Sequence, residues 1–436
     1  MVPVENTLNQ GKEGGILVRI EELPNGVTVL TEEIPYVRSV AVGIWVDVGS
    51  RDERPEQNGI SHFIEHALFK GTTTRSAQKI AEELDAVGGQ LNAFTTKEYT
   101  CFYAKVLDEH FGLAVDVLTD MLFNSRFNAE DLEREKNVII EEIRMYEDTP
   151  DELVHDVFTS TLWQGHSLGR PVIGTEEVVR SLTREDLLGY YQQNYLQGRM
   201  VVAVAGNIRF EEVVAVMGSA FGKVARGNKA RELVRPLPRA EVCCRTRDTE
   251  QVHLCIGTPG VALSDDTVYV FQVLNTILGG GMSSRLFQRI REDRGLVYSV
   301  YSYHSSYYDT GLFGIYAGLA APNVGQTLEV IATEIAGIRE RGVTEEELTR
   351  AKNQLKGNFL LSLESVTTRM SRMGKSQLYL GRVQSPEEIV GRIESITLED
   401  VSALAKRVFR PENFAFASVG PWEDGAGWKE IMGRLS

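Results

Sequence analysis

The residues of this 436-residue chain best suited to chemistry stand at 62–66, where the sequence reads HFIEH. If this segment is helical, His62 and His66 lie one turn apart on the same face, as two imidazoles that bind one metal ion must. Glu65 lies beside the pair and can act as a base on water without being a ligand. The order H-x-x-E-H inverts the H-E-x-x-H metal helix, and it indicates a zinc site with a third protein ligand and one open position. The alternative is an amphipathic helix whose histidines only line a polar face.

A second helix, predicted over residues 129–147, offers the third ligand. Its apolar residues fall near one stripe, and its acidic residues lie beside a Val-Ile-Ile run, which allows one carboxylate to point inward. Glu135 and Glu142 are seven residues apart and therefore share a face. Spacing alone does not choose between Glu141 and Glu142.

Together, HFIEH and EKNVIIEEIR at 135–144 resemble the pitrilysin family of zinc peptidases, which includes insulin-degrading enzyme and the mitochondrial processing peptidase. The resemblance extends from about residue 16 to 420. It is nearest to the bacterial single-chain relatives of the processing peptidase beta subunit.

The resemblance implies a role for each residue of the two motifs. His62, His66 and Glu142 are the expected zinc ligands, and Glu65 is the expected base that activates water. Glu135 maps to a family glutamate that orients a ligand. These roles describe a zinc metallopeptidase of the H-x-x-E-H, or inverzincin, type.

The second half of the chain carries an Arg-and-Tyr segment at 291–298 that also resembles the family. The implied residues are Arg291 and Tyr298, whose guanidinium and hydroxyl are suitable donors for an oxyanion. Arg294 competes with Arg291, and the family spacing to the tyrosine favours Arg291. In a homodimer, the partner's copies of these side chains are expected to complete the site.

Residues 88–96 are expected to begin the strand that holds the substrate. A helix end at Gly88 precedes this segment, which resembles the family's edge strand. An extended peptide added to such an edge is bound mainly through its backbone. Asn92 and Ala93 are the implied contacts.

Composition narrows the expected partners. The net charge of −15 argues against a nucleic-acid partner and favours cationic ones, so basic peptides are a natural substrate for a peptidase, although charge also aids solubility. No run approaches the length of a membrane span, and the first residues lack the features of a secretory signal. Four cysteines without C-x-x-C spacing predict reduced thiols in a cytoplasmic protein.

The chain repeats itself with an offset of 214–216 residues, which indicates a duplicated domain. We predict an α+β fold of two tandem, homologous α/β domains, each a largely antiparallel sheet with helices packed on one face. The expected boundaries are 1–221 for the zinc-binding domain, 222–240 for a linker, and 241–436 for the second domain. Glycines at 279–281 stand where the first half has its histidine helix, so one zinc ion per chain is expected.

The sequence thus predicts a zinc metalloendopeptidase that cleaves unfolded, basic peptides. The alternative is a non-catalytic or partner-dependent subunit of a pitrilysin-like heterodimer. Such silent subunits typically have a damaged H-x-x-E-H segment, whereas this one is intact.

Overall fold

A computed structural model describes residues 17–222, 224, 231–423, 428, 430 and 431. The first residues of the chain, and residues 223 and 225–230 of the predicted linker, lie outside this part. The elements of the first half are β1 Val18–Glu22, β2 Thr28–Glu33, β3 Ser39–Val46, α1 Ile60–Leu68, α2 Ala77–Asp85, β4 Gln90–Thr95, β5 Thr100–Leu107, α3 Phe111–Asn124, α4 Ala129–Glu147, α5 Pro150–Leu162, α6 Glu176–Ser181, α7 Arg184–Tyr190, β6 Met200–Gly206 and α8 Phe210–Phe221.

The second half repeats this arrangement of strands and helices. Its elements are β7 Val242–Thr246, β8 Val252–Pro259, α9 Val268–Gly279, β9 Ser299–Ser306, β10 Gly311–Leu319, α10 Val324–Arg341, α11 Glu345–Ser362, α12 Val366–Leu380, α13 Pro386–Glu394, α14 Leu398–Val408 and β11 Ala415–Gly420.

Each half contains one sheet, and both sheets are mostly antiparallel. The strand order is β1-β2-β6-β3-β5-β4 in the first and β7-β11-β8-β10-β9 in the second. Only the β2/β6 and β7/β11 pairs are parallel among the described strands. The predicted α+β fold of two similar domains is confirmed. The repeat is visible locally, since Thr183 and Thr397 each form a capping box with an aspartate three residues later.

The central strands explain why each sheet needs a cover on both faces. β6 is buried along its whole length and reads MVVAVAG, an apolar run rather than an alternating one. One face of the first sheet packs against α1, α3, α7 and α8 of the same half. The other face needs an apolar partner as well.

The two halves exchange one helix each to supply this second cover. α12 lies across β3 and β6, with Met370 and Met373 in one apolar cluster with Trp45. The packing is close, because a Cβ at Gly374 would lie 2.6 Å from the Trp45 ring. In return, α5 packs Phe158 against β8 and β11 of the second sheet. The structure thus adds an exchanged helix to the single helical face that the sequence predicted.

Buried ion pairs also join the halves. The Arg51 side chain is 3% exposed; its Nη1 lies 2.6 Å from Glu98 Oε1, within the first half, and 2.7 Å from Asp309 Oδ1 of the second. Arg231, in the described part of the predicted linker, pairs with Asp47 and Asp52. The domain boundaries 1–221, 222–240 and 241–436 remain a proposal. They divide the chain by sequence alone, whereas α5 and α12 each pack on the sheet of the other half.

Candidate metal centre

Helix α1 presents both histidines on one side. Its other side is apolar, with Ile60, Phe63 and Ile64 in the core of the first half. His62 and His66 therefore lie together, with ring centroids 4.7 Å apart. The segment at 62–66 is helical, as part of α1, and the helix gives the two imidazoles the spacing that a shared metal ion requires.

Helix α4 brings Glu142 to the two histidines. Glu142 Oε2 lies 3.7 Å from His62 Nε2 and 3.7 Å from His66 Nε2, and one ligand atom of each residue lies within 4.8 Å of the others. Burial is the main cause that lowers the pKa of His62 to about 3, and the neighbouring His66 adds to the effect. The His62 imidazole is therefore neutral at pH 7. Two imidazole nitrogens and a carboxylate oxygen are a donor set that suits zinc.

The structure distinguishes between the two adjacent acids of α4. Glu141 points to solvent, with 71% of its side chain exposed, and pairs with Arg144 at 2.7 Å. Glu142 faces α1 instead. The sequence left this choice open, because both acids follow the same apolar run.

Glu135 orients His66 from one heptad earlier on α4. Its Oε2 lies 3.2 Å from His66 Nδ1, and its Oε1 lies 2.7 Å from Lys70 Nζ. Because the carboxylate accepts from Nδ1–H, the Nε2 lone pair of His66 is directed to the space beside Glu142. The sequence analysis did not identify Lys70, which lies two residues beyond the end of α1.

Glu65 lies next to the three candidate ligands and is held by β4. Thr95 Oγ1 donates a hydrogen bond of 2.5 Å to Glu65 Oε2. Burial raises the pKa of the Glu65 carboxyl, and the hydrogen bond from Thr95 opposes this effect. A carboxylate with a raised pKa is suited to taking a proton from water and returning it. Nothing in the sequence distinguishes Thr95 beyond its place at the end of β4.

A buried acid, also missed by the sequence, caps α1. Gly59 stands at the N-cap with φ +95° and offers no side chain, so Glu53 serves from six residues upstream. Its Oε1 accepts from the Ser61 amide at 2.9 Å, and its Oε2 accepts from the Gly59 amide at 2.8 Å. Asn58 Nδ2 adds a third donor at 3.1 Å. A glycine cap after a nearby acid could have indicated this role.

Strand β4 is an edge strand, as the resemblance implied. It pairs with β5 alone among the described strands, with Asn92 opposite Tyr103 and Ala93 opposite Phe102. The Ala93 amide donates to Asn92 Oδ1 at 2.8 Å. A peptide that paired with this amide would have to displace the Asn92 side chain.

The structure does not bring Arg291 and Tyr298 to the candidate ligands of their own chain. Tyr298 is 76% exposed, and the Arg291 guanidinium stacks on the Phe287 ring at 4.8 Å. Neither side chain contacts His62, Glu65, His66 or Glu142 in the described part of the chain. Arg294, the competitor, donates to the Arg289 carbonyl instead.

Two family models match this chain. "Insulinase (Peptidase family M16)" matches residues 28–176, which contain α1 and α4, and "Peptidase M16 inactive domain" matches residues 181–355. The chain belongs to peptidase family M16. This M16 chain is 48% identical to the zinc protease YmxG of Bacillus subtilis, over 91% of this chain and 97% of the relative. It is 45% identical to the zinc protease SCO5738 of Streptomyces coelicolor, over 96% and 93%.

Solved structures share the fold of this M16 chain. The peptidase M16 inactive domain from Pseudomonas fluorescens has a TM-score of 0.87 at 21% identity, over 93% of this chain and 98% of that one. A protease from Helicobacter pylori has a TM-score of 0.86 at 19% identity, over 93% and 100%. The predicted membership of the pitrilysin family is confirmed, and a special closeness to the processing peptidase beta subunit stays a prediction. No helix among the described residues has the length and apolar character to cross a membrane.

Proposed function

We propose that this M16 chain is a zinc metalloendopeptidase that cleaves unfolded peptides. The observation that carries the proposal is the convergence of His62, His66 and Glu142 around one space, with Glu65 beside it. One zinc ion per chain binds to these three residues. When bound, zinc lowers the pKa of water and polarises a carbonyl group.

The protein's own residues perform the proton transfers and the positioning. Glu65 takes the proton of the attacking water and later gives it to the leaving amine, held in place by Thr95. Glu135 keeps His66 in the tautomer that leaves Nε2 free. The open edge of β4, at Asn92 and Ala93, binds the substrate as an added strand, which admits extended chains and excludes folded proteins.

We propose further that two copies of the chain form the working enzyme. Arg291 and Tyr298 are exposed, and neither side chain contacts the site of its own chain in the described part of the structure. In a homodimer, each would act at the partner's site, where its donors stabilise the oxyanion. The net charge of −15 favours basic peptides as substrates. The proposed location of the enzyme is the cytoplasm.

To test the proposal, the purified protein is incubated with a basic, unstructured peptide, and cleavage is monitored by mass spectrometry. A chelator should abolish cleavage, zinc should restore it, and Glu65→Gln should be inactive while still binding one zinc ion per chain. Bound zinc without cleavage would indicate a missing partner chain. Absence of both zinc and cleavage would contradict the proposal and favour a non-catalytic subunit.

A further inference from the structure

The second half has a cavity at the helix seam that corresponds to the metal centre. In the first half, the metal ligands lie between α1 and α4. Helix α11 begins 216 residues after α4, at Glu345 against Ala129, and the same offset places Asn358 where α4 has Glu142. Asn358, with Gln272 of α9, lines a cavity of about 460 Å³. An amide in place of the carboxylate does not favour zinc at this position.

The walls of this cavity, the α9–α11 cavity, are mainly apolar. They come from α9, α11, α12 and α13 and from the loops beside them. The apolar lining residues are Leu263, Val268, Leu355, Phe359, Leu380, Ile389 and Ile393. The volume lies in the range of about 300–1,000 Å³ that is usual for ligand sites. The shape and lining suit an apolar group of side-chain size or somewhat larger.

The charge of the α9–α11 cavity is positive. Two cations line it, and none of the lining residues is acidic. Arg372 already has partners within the protein, since its Nη1 donates to the Gln384 carbonyl at 2.6 Å and its Nη2 lies 3.9 Å from Glu32. Lys375 is exposed, and its amine has no carboxylate within 4 Å among the described residues. Burial by the surrounding protein lowers the pKa of Lys375, and the more distant Glu98 opposes this effect. In an acidic protein, an uncommitted lysine beside an apolar cavity is suited to an anion.

We propose that the α9–α11 cavity binds the C-terminal residue of a peptide, with an apolar side chain in the cavity and the free carboxylate on Lys375. A peptidase meets such termini both on its substrates and on the products of each cleavage. Gln272 and Asn358 can hold the last peptide group through their amides. This inference rests on the proposed function for the source of the ligand, but binding at the cavity requires neither zinc nor cleavage.

The experiment measures binding by calorimetry to the full chain carrying Glu65→Gln. The probes are acetyl-Gly-Gly-Phe with a free carboxylate, its C-terminal amide, and decanoate. The free acid should bind, and the amide should bind about tenfold more weakly or worse, because a charge-assisted hydrogen bond is lost. Equal affinity for acid and amide would overturn the proposal, as would absence of binding. Binding of decanoate without the peptide would reassign the cavity to small amphiphiles.

Matched variants locate the binding. Lys375→Met should weaken binding of the free acid to the level of the amide, and Lys375→Arg should restore it. Asn358→Trp fills the cavity from an exposed position and should abolish binding. Lys406→Met, which removes a surface charge elsewhere, is the control. If Lys375→Met leaves the affinity unchanged, the ligand lies at another site; a chain that binds the peptide but never cleaves would fail only the proposed function.

Discussion

Adjacent residues of one helix can have opposite surroundings. Glu141 and Glu142 follow each other on α4, yet 71% of the Glu141 side chain is exposed and 38% of the Glu142 side chain. Glu141 has a surface pair with Arg144, of the kind that contributes at most about 1 kcal/mol to stability. Glu142 faces the imidazoles of His62 and His66, and no lysine or arginine among the described residues lies within 4 Å of its carboxylate. Its carboxylate is therefore available to a metal ion.

The first prediction separates these two acids. Glu142→Gln should lower zinc affinity by more than the 10- to 100-fold typical of residues that only orient a ligand. Glu141→Gln, the matched control, should leave it unchanged. Competition with a zinc chelator measures both. Similar losses in the two variants would show that the carboxylate at position 142 is not a ligand.

The second prediction concerns Glu65 alone. Glu65→Gln should keep zinc affinity within a few-fold and lower kcat by about 10²- to 10⁴-fold, since general acid–base catalysis contributes that much. The glutamine retains an oxygen for Thr95 Oγ1, so the local packing should hold. Cleavage rates and zinc content of the same preparation provide the measurement. A variant that cleaves at the original rate would remove Glu65 from the mechanism.

At the scale of an element, α1 depends on a buried carboxyl outside it. Burial raises the pKa of Glu53 from 4.5 to about 7, although three hydrogen bonds to it favour the charged form. Between pH about 4.5 and 7 the folded state holds a proton that the unfolded state releases. The contribution of Glu53 to the free energy of unfolding therefore falls as pH rises through that window.

The third prediction follows from this linkage. Compared with Glu53→Gln, the unmodified protein should lose up to about 3 kcal/mol of relative stability from pH 4.5 to 8. Urea unfolding across this range gives the difference, with Glu56→Gln as a control at an exposed acid of the same segment. A difference that stays flat or grows with pH would mean that Glu53 is ionised throughout.

Elements also show how far the sequence could predict the fold and the site. Periodicity predicted α4 with its observed bounds, because its apolar residues fall near one stripe. Spacing also predicted the pairing of His62 with His66. Thr95, Lys70 and Glu53 were missed because their roles depend on which distant backbone lies beside them. The exchange of α5 and α12 was not predicted, because an apolar helix face does not indicate which of the two sheets it covers.

At the scale of the molecule, the two halves of one chain are held together firmly. α5 and α12 each pack on the other sheet, and Arg51 lies between Glu98 and Asp309. Removing one partner of such a buried pair leaves an uncompensated charge, which costs about 3–5 kcal/mol. The halves of one chain therefore do not separate readily, which supports the proposal that a second copy of the chain, rather than a movement between the halves, completes the site.

The fourth prediction tests that exchange between chains. Co-expressed Glu65→Gln and Tyr298→Phe chains form heterodimers in which one site has both defects and the other has neither. Random pairing makes half the dimers mixed, so about a quarter of the original sites should be active, although each variant alone is weak. Glu65→Gln with His66→Ala is the control: both defects belong to the same chain's site, so no mixed dimer has an intact one. If cleavage activity recovers only in the first mixture, Tyr298 acts at the partner's site. Equal cleavage rates in both mixtures would contradict this exchange between chains.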